Sequence, residues 1–301
     1  MDRERHCGPL RRNLNGAKPK MSDADVLAVV VVGELKQFPS ERAWYFELST
    51  THKKLVPNLI SRSRLVRRRI ELAPVLEAFR RKLIEYLGLD EGCERFVDSK
   101  PVILSHYGRA RRNRNKRFRP RWLRDRHSNL VVEVEPGFAD IGKCATKGEY
   151  YFGMKFHMMI TSGAIPTSWC LTAATIDDRR LVFELIEADP RVQRGDSIRV
   201  WADNGYEDET LAKEVKEHGH RLHAFLKKSK SSERPAGLRR LIRSTRQRIE
   251  TKFSEGKRFL GLETPRAAST PGLLSEIGAK VTALTLYMLA PILPLLAEGK
   301  L

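Results

Sequence analysis

The chain has 301 residues, enough for one large domain with its own core and a smaller attachment. An apolar share of 41% with 8% aromatics is that of a globular protein and too high for a disordered one. Fifty-six Lys and Arg against 37 Asp and Glu leave a formal charge of +19, which favours a polyanionic partner, either nucleic acid or an anionic membrane surface.

Residues 1–22 are polar and basic and read as a flexible tail with no secretory signal, because no apolar segment precedes Val26. From Asp23 to about Gly88 the pattern is helical. Ser22 and Asp23 offer a cap, Val26, Val29, Val30 and Val32 follow, and Leu76, Phe79, Leu83 and Leu87 recur at steps of three and four. Within this stretch RSRLVRRR (62–69) concentrates five arginines, Arg67 and Arg68 among them. Two readings fit a small helical domain over 23–92: a DNA-reading helix-turn-helix, or a helical bundle with a solvated basic face.

From Arg95 the character turns to mixed α/β, expected to continue over 93–301. Phe96-Val97 reads as a short strand that ends on Asp98. A basic insertion at about 105–130 follows. Its run 109–126 holds ten Arg or Lys, including Arg111, Arg112, Arg114, Lys116 and Arg117. Phe118 and Trp122 add stacking surfaces among these cations, which suits nucleic acid better than a merely solvated loop. Tyr150–Thr161 and Ile165–Ala173 read as a hairpin joined at Ser162-Gly163, with Trp169 as core. A helix is expected after Asp177-Asp178, then a strand IRVWAD (198–203) with Trp201 inward, a helix near 207–218 and a strand at 221–226. A long helix over 238–260 carries Leu238, Ile242, Ile249, Phe253 and Leu260 on one stripe. The final apolar stretch, 281–297, contains Pro291 and Pro294 and falls short of the ~20 residues a membrane span needs, so it reads as a buried helix and no membrane role is expected. Cys7, Cys93, Cys144 and Cys170 form no close pair and are expected to be free thiols in a reducing cytoplasm.

The chemistry is concentrated in three acids. Asp98 and Asp203 each follow a short apolar strand, and strand ends are where open α/β sheets place their ligands. On the 238–260 helix, Arg243, Arg246, Glu250 and Lys257 stand three, four and seven apart and share one face. Two-metal phosphoryl transfer needs such carboxylates, which without metal repel by about 4 kcal/mol per pair at about 4 Å and an effective dielectric of about 20. Hard oxygen ligands favour Mg²⁺, with Mn²⁺ as substitute. Arg246 and Lys257 are suited to holding DNA phosphates. Lys155 and His157 alternate onto one side of their strand. The plainer reading of His157 is a structural histidine bonded to a carboxylate, and that of Asp178 a helix cap.

Several of these segments resemble those of the insertion-sequence DDE transposases. Asp203-Asn204-Gly205-Tyr206 is similar to their Asp-x-Gly-Tyr box around the second acid. RQRIETKFSEGKRF (246–259) is similar to their third-acid segment, with Arg246 four residues before Glu250 and Lys257 seven after it. Val97-Asp98-Ser99-Lys100-Pro101 resembles the first-acid strand, Gly153, Lys155 and His157 match a Gly-x-Lys-x-His run, and LTAATIDD ends on Asp178 as theirs ends on an Asp. Arg243 stands where the family often has Tyr, and Asn204 where Lys commonly follows the second acid. The likeness covers roughly 95–290. It implies an RNase H-like mixed sheet flanked by helices, Mg²⁺ dependence, cleavage at the terminal inverted repeats of the element and strand transfer into double-stranded target DNA. It also implies a homodimer or larger synaptic complex in a prokaryotic, nucleoid-associated setting, with Lys155, His157 and Asp178 supporting the acids. A repurposed DNA-binding protein without catalysis, or an RNase H-like nuclease that cuts without joining, are the rival readings.

Overall fold

The computed structural model describes residues 19–106, 139–144, 148–224, 244, 247, 251, 254, 261, 265–267 and 269–290. Three helices come first: α1 (Asp23–Leu35), α2 (Glu41–Thr50) and α3 (Arg62–Tyr86). The start of α1 is a capping box, in which Ser22 Oγ accepts the Asp25 N–H at 3.0 Å and the Asp25 carboxylate accepts the Ser22 N–H at 3.3 Å. Trp44 on α2 donates its indole N–H to the Val29 carbonyl at 3.0 Å and so locks α2 onto α1.

Six strands form one sheet: β1 (Glu94–His106), β2 (Asp140–Cys144), β3 (Glu149–Thr161), β4 (Pro166–Ala173), β5 (Arg199–Ala202) and β6 (Arg221–Ala224). β1 lies antiparallel along nearly the whole of β3. The other edge of β3 is divided, with β2 paired along its first half and β4 along its second. On its far side β1 meets β5 in parallel, and β5 meets β6 in parallel. The order β4-β3-β1-β5-β6, with β4, β3 and β1 antiparallel to their neighbours in turn and β5 and β6 added to β1 in parallel, is that of the RNase H-like fold, and β2 is an addition to it. Gly153 is required where β1 bulges between Ile103 and Ser105, because a Cβ there would stand 2.0 Å from the Val102 carbonyl oxygen.

Between β4 and β5 run a 3₁₀ turn (Asp178–Leu181) and two short helices, α4 (Val182–Glu187) and α5 (Pro190–Gln193). α6 (Glu209–Glu217) connects β5 to β6, and α7 (Thr270–Leu289) closes the described chain. Alternation along the strands sends side chains to two cores. Phe96, Phe156, Met158 and Leu171 face α1, α3 and α7, whereas Val97, Met159, Cys170, Val200 and Ala202 face α4 and α6. Helix α7 is buried around most of its circumference, as the apolar sequence demands, and no helix among the described residues is long and apolar enough to cross a membrane. Buried residues of α1, α2 and α3 belong to one continuous core with those of the sheet and α7.

Candidate active site

Asp98 does not end its strand. β1 continues through Ser99↔His157, Lys100↔Phe156 and Pro101↔Lys155 to His106, where the sequence reads as a turn. The cause is the long edge of β3, which pairs with this stretch on both sides of the bulge between Ile103 and Ser105. Pro101 is tolerated because β5 has already parted from β1 after Phe96, so a missing N–H on that side leaves no described partner unsatisfied.

That parting creates the site. The parallel register runs Glu94↔Arg199, Arg95↔Val200, Phe96↔Trp201. Carried forward by two residues it brings Asp98 level with Asp203, the residue directly after β5. Both acids lie on the face of Phe96 and Trp201, at the carboxyl end of the parallel pair. Each carboxylate is steered by a backbone N–H: Ser99 donates to Asp98 Oδ1 and Gly205 to Asp203 Oδ1, both at 2.8 Å. A Cβ on residue 205 would stand 3.0 Å from Asp203 Oδ1, which explains the glycine two residues after the acid. Lys100, two residues along the same face as Asp98, reaches Asp98 Oδ2 at 2.7 Å. Burial raises the pKa of Asp98. The ammonium of Lys100 and the Ser99 N–H oppose that shift, and the charge of Asp203 adds to it.

On the opposite face of the sheet a second group of polar side chains meets. Asp178 accepts from Ser99 Oγ at 2.6 Å through one oxygen and from Lys155 Nζ at 2.8 Å through the other, and Lys155 also donates to the Ile176 carbonyl at 2.8 Å. Asp178 is therefore not the helix cap. Asp177 takes that role, accepting the Arg179 N–H at 3.0 Å, and the Arg179 guanidinium holds its carboxyl down at about 2. His157 shares this face but bonds the hydroxyl of Thr172 at 2.9 Å and not a carboxylate. Burial lowers its pKa to about 4, so at neutral pH it is an uncharged structural imidazole. Tyr206 of the Asp-x-Gly-Tyr box is buried beneath both faces' acids, and its hydroxyl has no partner among the described residues.

Of the expected phosphate ligands, Arg67 is exposed on α3. Arg68 is turned inward, donating to the Met21 carbonyl at 2.5 Å and to Asp23, with only 12% of its side chain exposed. It ties α3 to the start of α1, and its neighbour Arg69 ties α3 to Glu41 at 2.9 Å. Glu250, Arg243, Arg246, Lys257 and the run containing Arg111, Arg112, Arg114, Lys116 and Arg117 lie outside the described residues. Around Glu250, the described Ser244, Gln247, Thr251 and Ser254 are helical and exposed, and Thr251 Oγ1 donates to the Gln247 carbonyl at 2.8 Å. A cavity of about 310 Å³ lies elsewhere, between α1, α2, α3 and Arg266, and neither Asp98 nor Asp203 lines it. Sequence reasoning missed Ser99 and Lys100. Period-two alternation finds both once the strand is allowed to pass through Asp98.

The sheet order and the two aligned acids define an RNase H-like domain carrying a carboxylate pair at the rim of its parallel strands. Residues 93–286 match the profile of the transposase DDE domain, and the chain belongs to that family. Among solved structures it is similar to a piggyBac transposase synaptic complex with hairpin DNA, at 10% identity, over 97% of this chain and 71% of that one, with a TM-score of 0.48. It is similar also to a Mos1 transposase paired-end complex with left transposon end, at 8% identity over 93% and 80%, with a TM-score of 0.26, and to a pre-cleavage Mos1 transpososome, at 9% over 94% and 82%, with a TM-score of 0.27. With such scores the assignment rests on the family match and the sheet order. No curated protein matches the chain.

Proposed function

We infer that this transposase cleaves DNA at the ends of an insertion element and joins the freed ends to target DNA, with Asp98, Asp203 and Glu250 as the acids of a divalent-metal site. The observation that carries the reading is the β1–β5 register, which sets two steered carboxylates level with one another at the rim of the sheet in a chain of this family. The donor set fits a hard cation. Both groups offer oxygen, Asp203 Oδ2 has no partner among the described residues, and Asp98 already draws the ammonium of Lys100 to itself. Mg²⁺, or Mn²⁺ in its place, supplies when bound the neutralisation of the phosphodiester and the activation of the attacking oxygen.

The chain's own residues then have distinct tasks. Asp98 and Asp203 present carboxylates at fixed directions, and Glu250 adds the third from the helical segment after β6. Arg243, Arg246, Lys257, the basic run 109–126 and the exposed Arg67 take phosphates of the terminal inverted repeat and of the double-stranded target, consistent with the +19 charge. Two element ends have to be held together, so the working unit is a homodimer or larger synaptic complex, acting on the nucleoid of a prokaryotic cell.

The test is cleavage and joining of a labelled duplex carrying the element's end sequence, in Mg²⁺ or EDTA, with wild type beside Glu250→Ala. Metal-dependent nicking and joining that the variant loses while still binding DNA is the expected result. Binding without cleavage in wild type would assign the chain instead to a repurposed DNA-binding protein, and cleavage without joining to a nuclease.

A further inference from the structure

Asp98 and the polar group behind the sheet are linked through a single residue. Ser99 donates its backbone N–H to Asp98 Oδ1 at 2.8 Å, and its hydroxyl to Asp178 at 2.6 Å on the opposite face. Asp178 cannot follow a movement of Ser99 freely, because its other oxygen is held by Lys155 at 2.8 Å and its backbone begins the 3₁₀ turn capped by Asp177. Lys155 is anchored in turn by the Ile176 carbonyl. β5 has left this edge of β1 after Phe96, so no ladder bond to β5 fixes the Ser99 peptide on the side where its N–H points. The tie to Asp178 takes the place of that ladder.

We propose that Ser99, Asp178 and Lys155 are positioning residues, a clamp on the rear face of the sheet that fixes the direction of the Asp98 carboxylate and so sets the affinity of the site for its divalent cation. This rests on the reading of Asp98 as a metal-holding acid. Side chains that orient a ligating carboxylate commonly change metal affinity by about 10- to 100-fold when removed, without touching the metal. The clamp contributes no atom to the site, so its loss leaves the DNA surface and the number of acids unaltered. A purely structural role predicts something else: a lower unfolding temperature with unchanged affinity for metal in the protein that remains folded.

The experiment is a titration of the full-length protein with Mn²⁺, followed by electron paramagnetic resonance without DNA, on wild type, Ser99→Ala, Ser99→Thr, Asp178→Asn and Asp98→Ala. Unfolding midpoints are measured on the same samples without metal. Ser99→Ala and Asp178→Asn are expected to weaken Mn²⁺ binding about tenfold or more at an unchanged midpoint, with Ser99→Thr restoring it. If Asp178→Asn lowers the midpoint, the Ser99→Ala and Ser99→Thr pair decides alone, since the hydroxyl is the only group at issue. Wild-type Mn²⁺ affinity in Ser99→Ala, beside lost affinity in Asp98→Ala, overturns the clamp and leaves the metal site standing. Wild-type affinity in Asp98→Ala overturns the metal site itself.

Discussion

His157 makes the fold acid-sensitive over a definite pH window. The side chain has no exposed surface, Nε2 is 2.9 Å from the Thr172 hydroxyl, and Nδ1 has no partner among the described residues. Burial is the main cause of its lowered pKa. Asp178 opposes the shift and Lys155 adds to it, and the result is a fall from 6.5 to about 4. Above pH 6.5 the ring is neutral whether the chain is folded or not, so the folded state has its full stability there. Between 6.5 and about 4 only the unfolded chain takes up the proton, and stability declines as the pH falls. The whole shift is worth roughly 3 kcal/mol, of which roughly 2 kcal/mol is lost by about pH 5. That is a large part of the ~5–15 kcal/mol by which a domain is stable. Urea unfolding of wild type and His157→Gln at about pH 7 and about pH 5 isolates the effect, because carboxylates titrate alike in both proteins. Wild type is expected to lose roughly 2 kcal/mol more than the variant over this range. Parallel curves would refute the assignment of a buried neutral imidazole.

Arg95 and Asp189 form an ion pair at 2.7 Å with both side chains fully buried, and Arg95 also serves the carbonyls of Asp90, Gly92 and Glu94. Arg95→Met leaves the buried Asp189 carboxylate without its counter-ion, with only the Arg191 N–H among the described residues still donating to it, so calorimetry should find the protein about 3–5 kcal/mol less stable. Gly205→Ala forces Asp203 or its turn to shift by a few tenths of an ångström, and DNA cleavage is expected to fall about tenfold with the unfolding midpoint unchanged. Binding to duplex DNA, read by fluorescence anisotropy, is expected to weaken by about 10³–10⁵ between about 50 and 200 mM salt for six to ten phosphate contacts. A flat salt response would count against phosphate contacts by the basic segments.

Much of the fold is legible in the sequence where local signals and tertiary structure agree. The Ser22 cap, the hairpin of β3 and β4, the strand before Asp203 and the buried last helix all have short-range signatures in capping residues, alternation or apolar runs. Asp203 is legible with its Gly205 because the turn that steers it is local. What stays hidden depends on partners far along the chain. Ser99-Lys100-Pro101 looks like a turn until β3 pairs with it, and Arg68 looks like a phosphate ligand until Asp23, 45 residues away, is seen to hold it. Asp177 and Asp178 are equivalent caps by composition. Only the arrival of Ser99 and Lys155 from other strands separates their roles.

The same long-range ties decide how the N-terminal helices relate to the acids. Arg80 of α3 is fully buried and donates to the carbonyls of Pro166 and Thr167 at the start of β4. Glu77, one turn earlier, accepts the indole N–H of Trp169 in β4 at 3.1 Å. Burial alone would raise its pKa, yet Arg80 and Arg81 hold the carboxyl below the ordinary value. On the other side Lys280 of α7, 2% exposed, reaches Glu34 of α1 at 2.9 Å. Each of these bonds ties a buried polar or charged group of one element to another, and losing one weakens the join between the helices and the sheet. These ties join α3, which carries the exposed Arg67, to β4, and α1 to α7, so the N-terminal helices and the sheet are held as one packed unit.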